Sequence, residues 1–299
     1  MITAAYGVGP DYVRTFLRTF RAVNERARVI VMVNDHRHLA DIADHYNAEL
    51  HRSCLLCRLT PTIKLPRKRQ RVRPTEALSR TNPLLPKCGP MLPDHVLQVL
   101  VPLPVSRLFH TRHILNNDLF DMVLVSDCRD VLFQTDPFAI PIEFELAREP
   151  GTLGSCSFND KWIREGFGTA TLKHLSGKPI YCSGTILGRY ERVRDHIDRM
   201  CTVVRHLRSW RCFGQDQGVH NYVIHTQTDD ATYSVSTNQR GLIATVGLRP
   251  DVRIEGGYVV DVDGKPFPIV HQFDRLSTEE LKQLRLLTFS DDNDRVSGF

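Results

Sequence analysis

Along this chain, short unbroken apolar runs alternate with stretches in which apolar residues recur every three or four positions. Ile2–Tyr6 is the first such run, and it ends in Gly7, Val8 and Gly9. Pro10 and Asp11 then open a predicted helix, because Val13, Phe16, Leu17, Phe20 and Val23 share one helical face. Val29–Val33 is a continuous apolar run of the kind buried on both faces of a parallel sheet. Leu39–Leu50 reads as a second helix. This β-α-β-α opening predicts an α/β fold built on a parallel sheet.

The pattern breaks between about Arg58 and Pro93, where Pro, Arg and Lys accumulate without apolar periodicity. It is read as a solvated insertion or as a flap or docking arm. Regularity returns with a helix over Val105–Leu115 and an apolar strand over Met122–Val125. Ser183–Leu187 is read as a further strand. Val193, Ile197, Met200, Val204 and Leu207 mark a long amphipathic helix, and Ile269–Val270 ends a late strand. Ser277 and Glu280 have capping-box spacing for a final helix through Leu287. One domain is expected over 1–290, with the basic insertion 58–93 inside it and a polar tail at 291–299.

Composition adds little to this picture and charge adds one detail. The net charge of +5 is concentrated between Lys64 and Arg73, which hold six basic residues and no acid. That stretch is a candidate contact for an anionic surface: a membrane, a nucleic acid or an acidic acceptor. Val96–Val105, the longest apolar stretch, is too short to span a bilayer. The N-terminus lacks the basic and apolar regions of a signal peptide. A cytoplasmic protein, peripheral to a membrane at most, is expected. Of eight cysteines, Cys54 and Cys57 form a lone CxxC, with only Cys88 nearby and no His at ligand spacing. Reduced structural cysteines are expected there rather than zinc.

The strongest chemical signal is Met122–Phe133, in which an apolar strand delivers Asp127 and Asp130 at its carboxyl end. Ligands of open α/β sheets bind at such ends. Two carboxylates flanked by core residues call for a cation, and oxygen donors suit Mg²⁺ or Mn²⁺. The competing reading pairs one Asp with Arg129 and uses the other to cap a turn.

This strand resembles the metal-binding motif of GT-A glycosyltransferases, and Ser126–Phe138 is similar to nucleotide-diphospho-sugar transferase-like proteins. The Asp-x-x-Asp spacing is one residue longer than the commonest form. It leaves two arrangements open: both carboxylates on the metal, or Asp127 on the ribose and Asp130 on the metal. Three later segments follow in the family's order. Tyr181–Gly188 resembles the strand lining the donor-sugar pocket, which implicates Ser183 and Gly184. Gly214–Gly218 resembles the Asp-Gln element of glycosyltransferase family 8, which implicates Asp216 and Gln217 beside the anomeric carbon. Ile269–Asp274 resembles the late strand whose His, here His271, completes the metal site. Each has a bland counterpart: Gly184 in a turn, Asp216 as a helix cap, His271 as a structural histidine.

The resemblance further implies a GT-A, Rossmann-like fold with a mixed, mostly parallel sheet flanked by helices. It also implies Mn²⁺ or Mg²⁺ as cofactor and a UDP- or GDP-sugar as donor. The acceptor is a glycan, a lipid-linked molecule or a protein. Arg107, with Arg112 as its competitor, would reach the donor. Tyr6 and Gly7 would meet the base and ribose, and Asn159 and Trp162 the acceptor. Transfer is expected to retain configuration. Two rival classes remain: another strand-end-Asp metal enzyme, either a phosphatase or a nucleotidyltransferase, and a non-enzymatic binding module built on the basic insertion.

Overall fold

The computed structural model describes residues 1–35, 37–53, 63–64, 71–72, 85–210, 212, 214–229, 232–248 and 252–284. Cys54 and Cys57, most of the basic stretch and the tail lie outside these residues.

The chain folds as a mixed α/β structure around a seven-stranded sheet. Its amino-terminal half supplies β1 (Ile2–Ala4), β2 (Ile30–Val33), β3 (Glu49–Arg52) and β4 (Met122–Asp127). β5 (Val131–Phe133) belongs to a smaller sheet. β6 (Phe144–Thr152), β7 (Pro179–Arg189) and β8 (Ser234–Ser236) complete the large one, in the order β8-β6-β7-β4-β1-β2-β3. Pairing is parallel from β4 to β3 and between β8 and β6, and antiparallel on both sides of β7. The sheet is therefore mostly parallel, and helices cover its faces.

One face carries α1 (Pro10–Val23) and α2 (Ala40–His45). Proline at the start of α1 supplies the helical φ without losing a needed donor. Its buried Phe16 and Phe20 meet Phe133 edge-on, with ring centroids 5.2 and 5.0 Å apart. Each buried ring contributes about 1.5–3 kcal/mol, and together they clamp β5, the strand that begins one residue after Asp130. The other face carries α3 (Asp94–Leu100), α4 (Leu103–Asn117), α7 (Tyr190–Arg205) and α8 (Gln215–Gln227). Between β6 and β7 run α5 (Ser157–Phe167) and α6 (Thr169–Leu175). The second sheet has the order β9-β10-β5, with β9 (Ile243–Thr245) and β10 (Ile269–His271).

Several boundaries differ from the sequence expectations. The helix expected over Leu39–Leu50 stops at His45. Asn47 takes a left-handed φ of 48°, after which Glu49 and Leu50 pair with Ile30 and Val31 as an edge strand. Amphipathic spacing could not separate that short strand from the helix before it. The insertion is not wholly free of the core. A 3-10 segment over Leu85–Met91 packs Gly89 so tightly on the end of α7 that a Cβ there would lie 2.3 Å from the Arg205 carbonyl oxygen. The final helix, α9, spans Thr278–Gln283, and Ser277 and Glu280 form the expected reciprocal capping box. Leu287 lies outside the described residues. Among the described residues no helix is long and apolar enough to cross a membrane. Cys88, Cys128, Cys156, Cys182 and Cys201 are free thiols.

Candidate metal centre

The site forms where β1 and β4 end side by side, with Ala4 paired to Asp127. β1 leads outward to β2 on one side and neighbours β4 on the other, which makes this a point where strand order reverses, the place where open α/β sheets bind ligands. β7 runs antiparallel to β4 and pairs Thr185 with Ser126, so Gly184 comes next to Asp127.

His271 arrives from far along the chain by way of the second sheet. β10 pairs antiparallel with β5, setting His271 opposite Val131 and hence beside Asp130. The turn is then pinned: Gln272, at a left-handed φ of 64°, and Phe273 both donate their backbone N–H to the Asp130 carbonyl, at 2.6 and 3.3 Å. The outcome is a three-residue cluster whose ligand atoms lie within 4.8 Å of one another. Nε2 of His271 is 3.5 Å from Asp127 Oδ2 and 3.8 Å from Asp130 Oδ1.

Three observations say that these residues fit a divalent cation. The buried Nε2 has no hydrogen-bond partner, although it faces two carboxylates. The space it faces exists because residue 184 is glycine; a Cβ there would lie 2.4 Å from His271 Cε1 and 2.8 Å from Asp127 Oδ2. The electrostatics also favour positive charge. Burial opposes a proton on His271, but the Cys182 sulfur and the Asp130 carboxylate outweigh it and lift the imidazole to about 9. The pocket thus takes up a proton when no cation is supplied, and metal binding would displace it. One imidazole and two carboxylates could together hold a metal ion.

Asp127 straddles the sheet edge. While Oδ2 faces His271 beneath β7, Oδ1 accepts from Arg107 on α4, across the sheet. Arg107, buried on that side, also donates through Nη2 to Asp216 Oδ2 at 3.0 Å and to the Ser183 carbonyl at 3.3 Å. Ser183 Oγ donates to the same Asp216 oxygen at 3.4 Å. Asp216 lies in the first turn of α8, where the helix dipole favours a carboxylate. The N-cap position of α8 is Gly214, and the printed partners of the Asp216 carboxylate are Arg107 and Ser183.

Other expected residues fall nearby or elsewhere. Tyr6 follows β1, and its hydroxyl meets His110 Nδ1 at 2.5 Å, one turn along α4 from Arg107. Burial, then nearby histidines, push His110 down to about 3, so the ring that the tyrosine hydroxyl meets is neutral. Gly7 has a positive φ of 70° and turns the chain out of the sheet edge. Gln217 is separated from the metal cluster: its amide donates to Glu149 at 3.2 Å and to Asn159 at 3.4 Å. Trp162 packs over Gly214, where a Cβ would lie 2.2 Å from its ring, and tilts against the exposed Phe158. Arg112 turns away from the site to Asp94 and Asp198, which leaves Arg107 as the arginine at the centre. Arg129 pairs with Asp274 at 3.5 Å and not with Asp127 or Asp130.

Sequence reasoning did not single out Glu149, Cys182, His110 or Asp274. Glu149 sits in a strand with no motif, and no local signal marks it. Asp274 closes the Ile269–Asp274 segment; its Oδ1 is buried and unpartnered, and burial, with Asp130 nearby, raises its carboxyl. No protein-family model matches the chain, and no curated protein matches it.

Proposed function

We propose that this chain is a metal-dependent glycosyltransferase, moving a sugar from a UDP- or GDP-sugar to an acceptor hydroxyl. The observation that carries the reading is the meeting of Asp127, Asp130 and His271, which the fold gathers from two separate parts of the chain, with the buried imidazole Nε2 unpartnered beside two carboxylates at the sheet's carboxyl edge. The fold-level likeness stated from the sequence supports it, because the segments that resemble the family in order along the chain also meet in space.

A divalent cation held by these three residues would act as the Lewis acid that stabilises charge on a departing diphosphate. The protein's own groups do the positioning. Arg107 occupies Oδ1 of Asp127 and leaves Oδ2 beside His271, where it would help to hold a cation. With Ser183 it also fixes the Asp216 carboxylate on the other side of the same edge. Ser183 and Gly184 would line the donor sugar, and Tyr6 and Gly7 the nucleoside. Gln217, tied to Glu149 and Asn159, would lie on the acceptor side, with Trp162, which packs against Gly214 and Gly218, close by. Such fixed dipoles and charges supply the orientation that glycosyl transfer needs. The Asp216–Gln217 pair favours retention of configuration, by the same resemblance.

The test is a thermal-shift screen of UDP- and GDP-sugars with and without Mn²⁺. A fitting donor at about 100 times its dissociation constant stabilises by about 2.7 kcal/mol, and the rise should vanish when Mn²⁺ is chelated. If no nucleoside diphosphate stabilises the protein in a metal-dependent way, the assignment falls. Release of inorganic phosphate from simple esters would instead favour a phosphatase at the same edge.

A further inference from the structure

The two nitrogens of His271 face opposite ways, and what lies behind the ring decides which one is open to a cation. Nε2 faces Asp127 and Asp130 and has no hydrogen-bond partner. Nδ1 faces the Cys182 sulfur at 3.4 Å. Both residues are 1% exposed, so the imidazole is shielded from bulk solvent. An imidazole that ligates a metal through Nε2 must carry its proton on Nδ1, and that proton needs an acceptor.

We propose that Cys182 is a positioning residue of the metal centre, whose sulfur accepts the Nδ1 proton of His271 and thereby holds Nε2 open toward Asp127 and Asp130. The local strand geometry makes this arrangement compact. The pairing of β7 with β6 is irregular between Cys182 and Ile186, and Cys182 Sγ and the open side of Gly184 both meet the His271 ring. One strand therefore supplies a partner behind the imidazole and, through the missing side chain of Gly184, the room in front of it. Histidine ligands more often lean on a carboxylate or carbonyl. A sulfur orients the ring without adding a full negative charge to a pocket that already holds two aspartates. Glu149, the carboxylate that also acts on His271 electrostatically, is engaged by Gln217 instead.

This inference rests on the metal reading of the site and not on sugar transfer. The experiment titrates Mn²⁺ into the metal-free full chain and into Cys182→Ser and Cys182→Ala, following free Mn²⁺ by electron paramagnetic resonance. Loss of the acceptor in Cys182→Ala weakens Mn²⁺ binding about 10–100-fold. Cys182→Ser, which keeps an acceptor in place, stays within about threefold of the unaltered chain on the same reasoning. Equal affinity in Cys182→Ala overturns the proposal, and so does a serine variant as weak as the alanine one.

Because Cys182→Ala opens a gap in the core, a second measurement uses the unaltered chain. In ¹⁵N-histidine spectra with saturating Mg²⁺, His271 carries its proton on Nδ1; a proton on Nε2 refutes the role. An unaltered chain that binds no Mn²⁺ removes the metal reading and this inference together. Unaltered binding beside an unchanged Cys182→Ala removes this inference alone.

Discussion

Gly184→Ala is the smallest change that addresses the cation directly. The new methyl would sit 2.4 Å from His271 Cε1, 2.5 Å from its Nε2 and 2.8 Å from Asp127 Oδ2. Gly184 is not among the glycines with positive φ, so the backbone accepts alanine and the effect is one of space. Nonbonded carbon contacts settle near 3.5–4.0 Å, which requires the imidazole and the carboxylate to part from the methyl by about 1 Å. Metal–ligand distances tolerate only about 0.2 Å. The ring therefore leaves bonding range or the cation does. Losing one of three protein ligands should weaken Mn²⁺ binding by about 100-fold or more, equivalent to about 2.7 kcal/mol. Overpacking the core costs a further 1–3 kcal/mol or so of stability. Calorimetric titration with Mn²⁺, run beside thermal melts, reads both. Gly177→Ala is the control, since no atom lies within 4 Å of a Cβ there. A folded Gly184→Ala variant that binds Mn²⁺ as tightly as the parent would refute the geometry on which the site is built.

Arg107→Met leaves Asp127 and Asp216 without their shared cation, and breaking such a buried arrangement costs about 3–5 kcal/mol; adding Asp216→Asn should restore part of the loss in chemical denaturation. Asp130→Asn and His271→Ala should each cut turnover with a nucleotide-sugar by orders of magnitude while leaving the circular dichroism spectrum unchanged. His110 and His196 are each held near 3, chiefly by burial, well below their usual value. The unfolded chain thus binds more protons, and urea unfolding should show stability that is full above about pH 6.5 and falls away toward pH 3. His271 works in the opposite sense in metal-free protein: its contribution is full below pH 6.5 and is lost as pH rises through about 9, which His271→Ala should abolish.

The elements that the sequence shows well are those whose burial is one-sided or complete over several residues. Val29–Val33 and Met122–Val125 read as strands because both faces of the central sheet are covered, and α1 because its apolar stripe is uninterrupted. α4 is harder to bound: buried Ser106, Arg107, His110 and Thr111 dilute its apolar face with the polar groups that build the site. β6 was invisible for a related reason. Its buried Glu145 and Glu149 interrupt the alternation, one satisfied by Ser234 and Ser236 and the other by Gln217. At the site, Asp127 and Asp130 could be read as a pair because one strand delivers both. His271 could be named only through the resemblance, since its approach depends on β10 pairing with β5, a contact across more than a hundred residues. Cys182 had no local signal at all, because its role follows from which ring nitrogen it faces.

The most direct test of the central claim is an anomalous-scattering map from a crystal soaked with Mn²⁺ and a nucleoside diphosphate. A single strong peak should stand about 2.1 Å from His271 Nε2, Asp127 Oδ2 and an Asp130 oxygen, with the diphosphate completing the coordination. A peak elsewhere, or an ion that leaves His271 Nε2 unligated, would contradict the account.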